Sequence, residues 1–234
     1  MKALLKKYGK PLLDFYAQHA KLKRLKDNYH HNGGTIFNAF DQTNSIFIHI
    51  PKTAGIAVGK SLYGENISWG HYTWKEVESV MGSDKFNSYF KFAFVRNPWS
   101  RIFSAYHFLM KGGINEVDKY FYEQVLSQYD TFERFIMEGL GSKEVSNWIH
   151  FLPQTDFICD RNGNLKVDFI AKLENIQEDY NTIRERVGGE ELLIRNELNK
   201  DKTSYKSIYT SEMIKKVYEL YKLECILFNY TYDD

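Results

Sequence analysis

A short segment, Pro51–Gly55, combines anion-binding residue types with a turn. It follows the apolar run Ser45–Ile50, which predicts a buried strand, and it precedes a predicted helix over 56–62. A glycine-containing turn between a strand and a helix directs backbone N–H groups at the helix N-terminus, where they bind anions. Lys52 adds a cation and Thr53 a hydroxyl. We predict an anion-binding loop here, with an ordinary surface turn as the alternative; the residues alone do not name the anion.

A second segment has the same position relative to a strand. It begins at Arg96 after the apolar run Tyr89–Val95, and its Pro98 suits the first turn of a helix. Arginine presents a planar fork of donors that matches phosphate oxygens, and a serine hydroxyl adds another donor. We predict that Arg96 and Ser104, with Arg101 as a further cation, bind a second anionic group. Singly, Arg96 also fits an ion pair and Ser104 helix packing, but two such loops favour a ligand with phosphates at two ends.

A nucleoside-triphosphate P-loop is the main competing interpretation of the first loop. Gly55–Ser61 ends in Gly-Lys-Ser, but three residues separate its glycines where the nucleotide motif has four. Lys60 would also lie inside the helix and not at its N-terminus. Both points argue against a nucleotide-binding loop. A P-loop kinase or NTPase, with Asp160 holding magnesium, is kept as the alternative interpretation.

The elements that must position these loops alternate between strands and helices. This order predicts an α/β fold with a central, mainly parallel sheet flanked by helices, in which ligands bind at the carboxyl ends of the strands. Arg161–Asn164 contains Asn-Gly and predicts a β-hairpin between strands at 156–159 and 165–173. Further helices are predicted from the Thr73 capping box to residue 80, and over 98–110, 175–187 and 211–223.

The composition indicates a folded chain and excludes several partner classes. With 234 residues, 43% of them hydrophobic, one sizeable core is expected, as an N-terminal segment over 1–40 and a single domain over 41–234. Thirty-one Lys and Arg residues stand against thirty Asp and Glu, so a generally basic nucleic-acid-binding surface is excluded. Cys159 and Cys225 form no C-x-x-C pair, which excludes a disulfide framework and fits a reducing compartment.

The N-terminal segment carries most of the local charge imbalance. Apolar residues recur every four positions from Leu4 to Tyr16, which predicts a helix with an apolar stripe, interrupted at Pro11. In one interpretation its lysines contact a membrane surface or an acidic polymer. In the other, the helix docks on the domain and its lysines are solvated. The apolar stretches are too short for a signal peptide or a membrane span, so we expect a cytoplasmic protein, peripheral at the inner membrane in the first case.

Both anion segments resemble known motifs. His49–Gly55 and Phe92–Tyr106 are similar to the two cofactor motifs of sulfotransferases that use 3′-phosphoadenosine 5′-phosphosulfate (PAPS), in particular the carbohydrate sulfotransferases of the family-2 group. The similarity continues at Gly70-His71 and Leu152–Asp156 and covers roughly residues 45–229. It implies a P-loop-like core, PAPS as sulfuryl donor, adenosine 3′,5′-bisphosphate as product, and a sulfotransferase domain over 41–234.

The resemblance also implies roles for single residues. Arg96 and Ser104 would bind the 3′-phosphate of PAPS, and Lys52 would stabilise charge on the bridging oxygen as the sulfuryl group leaves. The 5′-phosphosulfate would lie against the first loop, which comprises Pro51, Lys52, Thr53, Ala54, Gly55, Ile56 and Ala57. The family usually has Thr or Ser after the loop glycine. Because this chain has Ile56 and Ala57 instead, hydroxyl contacts to the donor are expected to be missing there.

Transfer of a sulfuryl group to an alcohol requires a base. In the resembling enzymes a histidine after glycine is the candidate, which implies this role for His71, and imidazole titrates near neutral pH. The alternative is that His71 only holds its loop or binds acceptor. The acceptor would be a carbohydrate: a polysaccharide, a glycolipid or a small sugar. Candidate acceptor contacts are Trp69, Tyr72, His107 and Gln154.

No metal is expected to be required, because lysine, arginine and backbone donors would neutralise the phosphates. A non-catalytic module that binds anionic glycans or membranes is the remaining alternative.

Overall fold

Three parallel strands form a sheet within residues 2–31, 34–192 and 205–234, which are the residues that the computed structural model describes. The strands are β1 (Ser45–Phe47), β2 (Phe90–Val95) and β3 (Phe169–Lys172), in the order β1-β2-β3. Ile48 extends the pairing beyond β1, since its N–H donates to Phe92 O at 2.9 Å. The predicted α/β class and parallel sheet are confirmed.

The predicted hairpin is wrong in its strands, although the turn forms. Residues Thr155–Ile158 are a short helix, and Cys159 and Leu165 make a single antiparallel bridge. The chain beyond the turn leaves its local partner and pairs in parallel with β2 instead. Phe169 thereby lies beside Phe92 in the sheet. Long-range burial in the sheet overrides the local hairpin signal.

Helices surround the sheet on the described chain. Those before β2 are α1 (Lys2–His31), α2 (Ile36–Thr43), α3 (Gly55–Tyr63), α4 (Trp74–Met81) and α5 (Ser83–Ser88). Between β2 and β3 lie α6 (Pro98–Met110), α7 (Glu116–Gln124), α8 (Phe132–Arg134), which continues into a π turn over Phe135–Gly139, α9 (Lys143–Ser146) and α10 (Thr155–Ile158). After β3 come α11 (Ile176–Val187) and two C-terminal helices, Ser211–Leu220 and Lys222–Leu227. Short 3₁₀ turns occupy Leu126–Gln128, Leu173–Asn175 and Tyr205–Ser207.

Most helix starts follow from their caps. Thr73 and Glu76 form the expected capping box of α4, and Asn97 caps α6 just before Pro98. Thr210 caps the first C-terminal helix as predicted. The second half of the predicted helix over 211–223 differs, because the chain leaves helical geometry at Tyr221 and a separate helix follows.

Helix α1 continues through Pro11, so the expected interruption there is wrong. A proline inside a helix removes one backbone hydrogen bond, and a helix can continue past it with a kink. The second half of α1 packs on the core through Leu25, and Lys21 Nζ bonds Glu76 Oε1 at 2.7 Å. Side chains before residue 17 lie outside the described residues, so the membrane interpretation of the first lysines stays a prediction. None of the described helices is long and apolar enough to span a bilayer.

The buried apolar side chains fall into two clusters. One surrounds the sheet and includes Phe47, Phe92 and Ala171. The other surrounds α6 and the C-terminal helices. The segment that begins at Arg96 crosses from the first cluster to the second, so the carboxyl end of β2 opens at their boundary.

Candidate active site

The first loop presents backbone donors at the start of α3. Lys52 and Ala54 have positive φ angles of 70° and 61°, which turn the chain sharply after Ile50. Ala54 is the N-cap and makes no side-chain cap hydrogen bond. The first N–H groups of a helix have no partner within the helix. Together with the helix dipole, such groups at Gly55 and the residues after it would favour an anion.

The hydroxyl of Thr53 has a structural partner inside this loop. Thr53 is fully buried, and its Oγ1 donates to Ile50 O at 3.0 Å. The hydrogen of this hydroxyl is therefore used to close the turn. Because no part of Thr53 is exposed, this residue supports the turn and does not itself reach a ligand.

His49 packs against the loop glycine and fixes the neighbouring loop as well. A Cβ at Gly55 would lie 1.9 Å from His49 Cδ2, so glycine is required for this close approach. His49 O accepts a hydrogen bond from His71 Nδ1 at 3.0 Å. One residue at the end of β1 thus holds both the anion loop and the histidine loop.

The hydrogen bond to His49 determines the tautomer of His71. A carbonyl oxygen can only accept, so Nδ1 carries the hydrogen and Nε2 of the neutral ring keeps its lone pair. Burial lowers the pKa of His71; the bond to His49 opposes this, and the charge of Lys52 lowers the pKa further. The ring is therefore neutral near pH 7, with a proton-accepting nitrogen available.

The second loop is joined to the first by Arg96. The guanidinium donates from Nε to Ser100 Oγ at 2.8 Å and from one terminal nitrogen to Lys52 O at 3.2 Å. The Arg96 backbone is held by Gln154, whose side chain bonds both the N–H and the carbonyl. The two predicted anion loops are thus brought into direct contact.

A pocket of about 560 Å³ opens between Lys52 and α6. Lys52 Nζ lies 3.8 Å from the centroid of the Phe108 ring. The lining includes two lysines, a histidine and a serine hydroxyl and contains no carboxylate: Lys52, Phe103, Ser104, His107, Phe108, Lys111, Gly113 and Ile114. Such a lining suits an anionic ligand.

The structure does not bring Arg101 to this pocket. Its side chain is fully buried and donates to His150 O at 3.2 Å and to Leu152 O at 2.7 Å. A terminal nitrogen lies 3.7 Å from Glu224 Oε1. Arg101 therefore supports the protein interior behind the second loop.

The four candidate acceptor residues occupy different places. His107 lines the pocket, whereas Gln154 is fully buried behind Arg96. Trp69 packs on Gly59, where a Cβ would lie 2.4 Å from its ring, and on the sheet cluster. Tyr72 lines a separate cavity of about 360 Å³ between α1 and α2.

Sequence reasoning did not single out Lys111, Phe108 or His150. Phe108 lies four residues after Ser104 on α6, and Lys111, the C-cap of that helix, lies seven residues after it, so helical periodicity could have found both. His150 lies 6.2 Å from His71 between ring centroids, and burial lowers its pKa to about 3. The sequence points to His150 only through its position two residues before the Leu152–Asp156 segment.

The P-loop interpretation places its lysine in the wrong part of the structure. Lys60 lies in the second half of α3, and its Nζ bonds Glu65 Oε2 at 2.6 Å on the exposed surface. Asp160, the proposed magnesium ligand, accepts hydrogen bonds from Asn162 and Asn164 and pairs with Lys166. Within the described residues no cluster of three or more His, Cys, Asp or Glu side chains is arranged to hold a metal ion.

A sequence model of the sulfotransferase family matches residues 37–231. The chain belongs to the sulfotransferase family. This sulfotransferase is 31% identical over 124 residues to an uncharacterized protein of Archaeoglobus fulgidus, a match that covers 51% of the chain and 85% of that protein. It is 24% identical over 174 residues to carbohydrate sulfotransferase 9 of Homo sapiens, which covers 63% of the chain and 39% of the human protein. No solved structure matches the chain.

The two residues that depart from the family pattern lie at the start of α3. Ile56 is 50% exposed, and Ala57 packs against the sheet cluster. Neither side chain can donate a hydrogen bond. At these positions only the backbone N–H groups could donate to an anion.

Proposed function

We propose that this sulfotransferase transfers the sulfuryl group of PAPS to a hydroxyl of a carbohydrate. The observation that supports this most is the contact between the two anion loops at the carboxyl ends of β1 and β2, made by Arg96 and Lys52 O at 3.2 Å. A donor with phosphate groups at two ends requires two linked anion sites. The family match supports the same reaction class.

The residues present fit such a donor. Uncapped N–H groups at Gly55 and Ile56, with Lys52 beside them, would hold the 5′-phosphosulfate. Arg96 and Ser104 would hold the 3′-phosphate. When bound, PAPS supplies a sulfuryl group attached to a phosphate that can leave. Lys52 then stabilises the negative charge that develops on the bridging oxygen.

His71 is the proposed general base. Its Nε2 accepts the proton of the acceptor hydroxyl, while the bond from Nδ1 to His49 O keeps the ring oriented. Burial and Lys52 both lower the pKa of His71, so the base form is present at neutral pH. As Nε2 takes up the proton, Lys52 would offset charge on the leaving oxygen.

A carbohydrate acceptor is supported by the similarity to the human carbohydrate sulfotransferase 9. The chain matches 39% of that protein's length, so its acceptor is carried over only as a class. The pocket along α6 is open at Lys111 and Ile114 and has room for a sugar ring beside the donor site.

The proposal is tested by transfer of radiolabelled sulfate from PAPS to an array of carbohydrate acceptors. We expect Lys52→Ala and His71→Ala to lower transfer about 100-fold or more. Lys60 lies in α3, the helix that follows the first loop, and pairs with Glu65. Lys60→Ala is therefore the matched control for Lys52→Ala and should keep full activity. His30→Ala, an exposed histidine of α1, is the control for His71. Full activity of Lys52→Ala or His71→Ala would contradict the assigned role of that residue, and loss in Lys60→Ala would favour a P-loop.

A further inference from the structure

A network of buried polar side chains lies behind Arg96. Its members are Arg101 and Gln154, which are 0% exposed, and Glu224, which is 1% exposed. Most polar groups buried to this extent are hydrogen-bonded by specific partners, although Nε of Arg101 has none. Their partners show which part of the molecule the network holds in place.

The side chain of Gln154 clamps the backbone of Arg96. Its Oε1 accepts from Arg96 N at 2.9 Å, and its Nε2 donates to Arg96 O at 2.8 Å. The pairing between β2 and β3 ends one residue earlier, at Val95 and Lys172. The carboxamide therefore takes the place of a neighbouring strand for Arg96. An amide supplies this pattern of one acceptor and one donor without having to bind a proton.

Glu224 determines which way this amide points. The carboxylate accepts from Gln154 Nε2 at 2.6 Å and also from the Gln154 backbone N–H. Because a carboxylate only accepts, the amide nitrogen must face Glu224, and Oε1 is left to accept from Arg96 N. Arg101, 3.7 Å from Glu224, supplies the opposite charge and is itself held by the carbonyls of His150 and Leu152.

We propose that Gln154, oriented by Glu224, is a positioning residue that sets the direction of the Arg96 side chain and thereby the preference for a ligand with a 3′-phosphate. The inference rests on the proposed donor site. A network that served stability alone would affect all ligands equally. A network that positions Arg96 affects the ligand group that Arg96 binds.

The test compares two ligands by calorimetry near neutral pH on the full chain: adenosine 3′,5′-bisphosphate and adenosine 5′-monophosphate, which lacks the 3′-phosphate. The ratio of their affinities reports the 3′-phosphate site. Gln154→Glu keeps the shape and the acceptor for Arg96 N. The two neighbouring buried carboxyls would share one proton between them, so Arg96 O loses the donor that the second hydrogen of the Gln154 amide supplies. We expect it to lower the ratio about tenfold while the affinity for the monophosphate changes by less than about twofold.

The exchanged variant Gln154→Glu/Glu224→Gln separates folding from positioning. It restores one carboxylate and one amide between positions 154 and 224, but not the donor to Arg96 O. We expect it to regain thermal stability and to keep the lowered ratio. Tyr63→Phe, which removes a buried hydrogen bond to Ser45 outside the network, is the control and should keep the wild-type ratio.

Two results would overturn the inference: a wild-type ratio in the exchanged variant, or equal weakening of both ligands in Gln154→Glu. If Gln154→Glu does not fold, the exchanged variant alone decides between these results. A wild-type protein without preference for the bisphosphate would instead contradict the proposed donor site itself, so the two failures are distinguishable.

Discussion

The two loops at the pocket are held in place by different physical means. The first loop depends on backbone shape: positive φ angles at Lys52 and Ala54, and a glycine at position 55 that lies under the ring of His49. The second loop depends on buried polar bonds, from Gln154 to the Arg96 backbone and onward to Glu224. Steric fit maintains one loop, and hydrogen bonds and charge maintain the other.

The difference follows the distance along the chain of each loop's supports. His71 and His49 O are 22 residues apart, within one contiguous part of the sequence. Gln154 is 58 residues from Arg96, and Glu224 a further 70 residues from Gln154. The residues that hold the first loop lie close to it in the sequence, whereas the residues that hold the second loop are brought to it only by the complete fold. The first loop should therefore respond to added volume, and the second to removed charge.

The largest effect is expected from breaking the buried ion pair of the second region. Glu224→Met should lower the free energy of unfolding by about 3–5 kcal/mol, because Arg101 would stay buried without its carboxylate. Urea unfolding measures this change. The double variant Arg101→Met/Glu224→Met removes the uncompensated charge and should regain much of the loss. If the two single losses simply add in the double variant, the pair is not coupled and the network description is wrong.

The next effect is expected from adding one carbon atom to the first region. In Gly55→Ala the new Cβ would meet the His49 ring at 1.9 Å, so the loop or the ring must move. A displacement of about 1 Å near a reacting group lowers the rate on the order of 100-fold, and we expect this loss in sulfuryl transfer. Gly59→Ala is the matched control: its Cβ meets the Trp69 ring at 2.4 Å, one helical turn away from the loop. Equal rate losses in the two variants would place the effect in α3 as a whole.

This contrast explains how much the sequence could predict. Local signals located β2 and the turns that precede α3 and α6, because apolar runs, Pro98 and the Gly55 turn act on their immediate neighbours. β1 ends at Phe47, before the predicted end at Ile50, and anion binding by the two loops stays a prediction. The side to which Arg101 points could not be predicted, since a motif gives the residue type and its partners His150 and Glu224 are distant.

The hairpin error has the same origin. The Asn-Gly turn formed, but residues 169–172 pair with β2, from which they are far in sequence. The Asn-Gly signal depends only on neighbouring residues, so it contains no information on the apolar surface that β3 buries by pairing with β2. Gln154 was predicted as a polar group of the site, yet only the fold places its amide on the Arg96 backbone.

The response to acid tests the histidines around the first loop: His49 is buried there, and the ring of His150, which is also buried, lies 6.2 Å from that of His71. Burial lowers the pKa values of His49 and His71 and lowers that of His150 to about 3. Below the unfolded value of about 6.5 the unfolded chain binds more protons than the folded one. The free energy of unfolding should therefore fall as pH decreases from about 6.5, by up to about 1.4 kcal/mol per pH unit for each histidine.

Urea unfolding at a series of pH values measures this slope. His150→Phe keeps an aromatic ring beside Phe108 and should make the slope shallower. His30→Gln changes an exposed histidine of α1 and is the control. Glu224 acts with the opposite sign: burial raises its pKa, so its contribution is present below the unfolded value and is lost as pH rises. An unchanged slope in His150→Phe would remove His150 from this account.

The smallest effect is expected at Thr53, a residue of the sterically fitted first loop whose buried side chain also makes a hydrogen bond. Thr53→Val should lower the free energy of unfolding by about 1 kcal/mol, since the buried bond to Ile50 O is lost, and should change the affinity for adenosine 3′,5′-bisphosphate by less than about threefold. Thr53→Ser keeps the hydroxyl and should keep the wild-type affinity, while the loss of its buried methyl group lowers the free energy of unfolding by about 1 kcal/mol. A loss of affinity above about tenfold with unchanged stability would instead assign the hydroxyl to the ligand. The geometry argues against that outcome, because a hydroxyl whose hydrogen is directed at Ile50 O presents only lone pairs to a phosphate, and a phosphate needs donors.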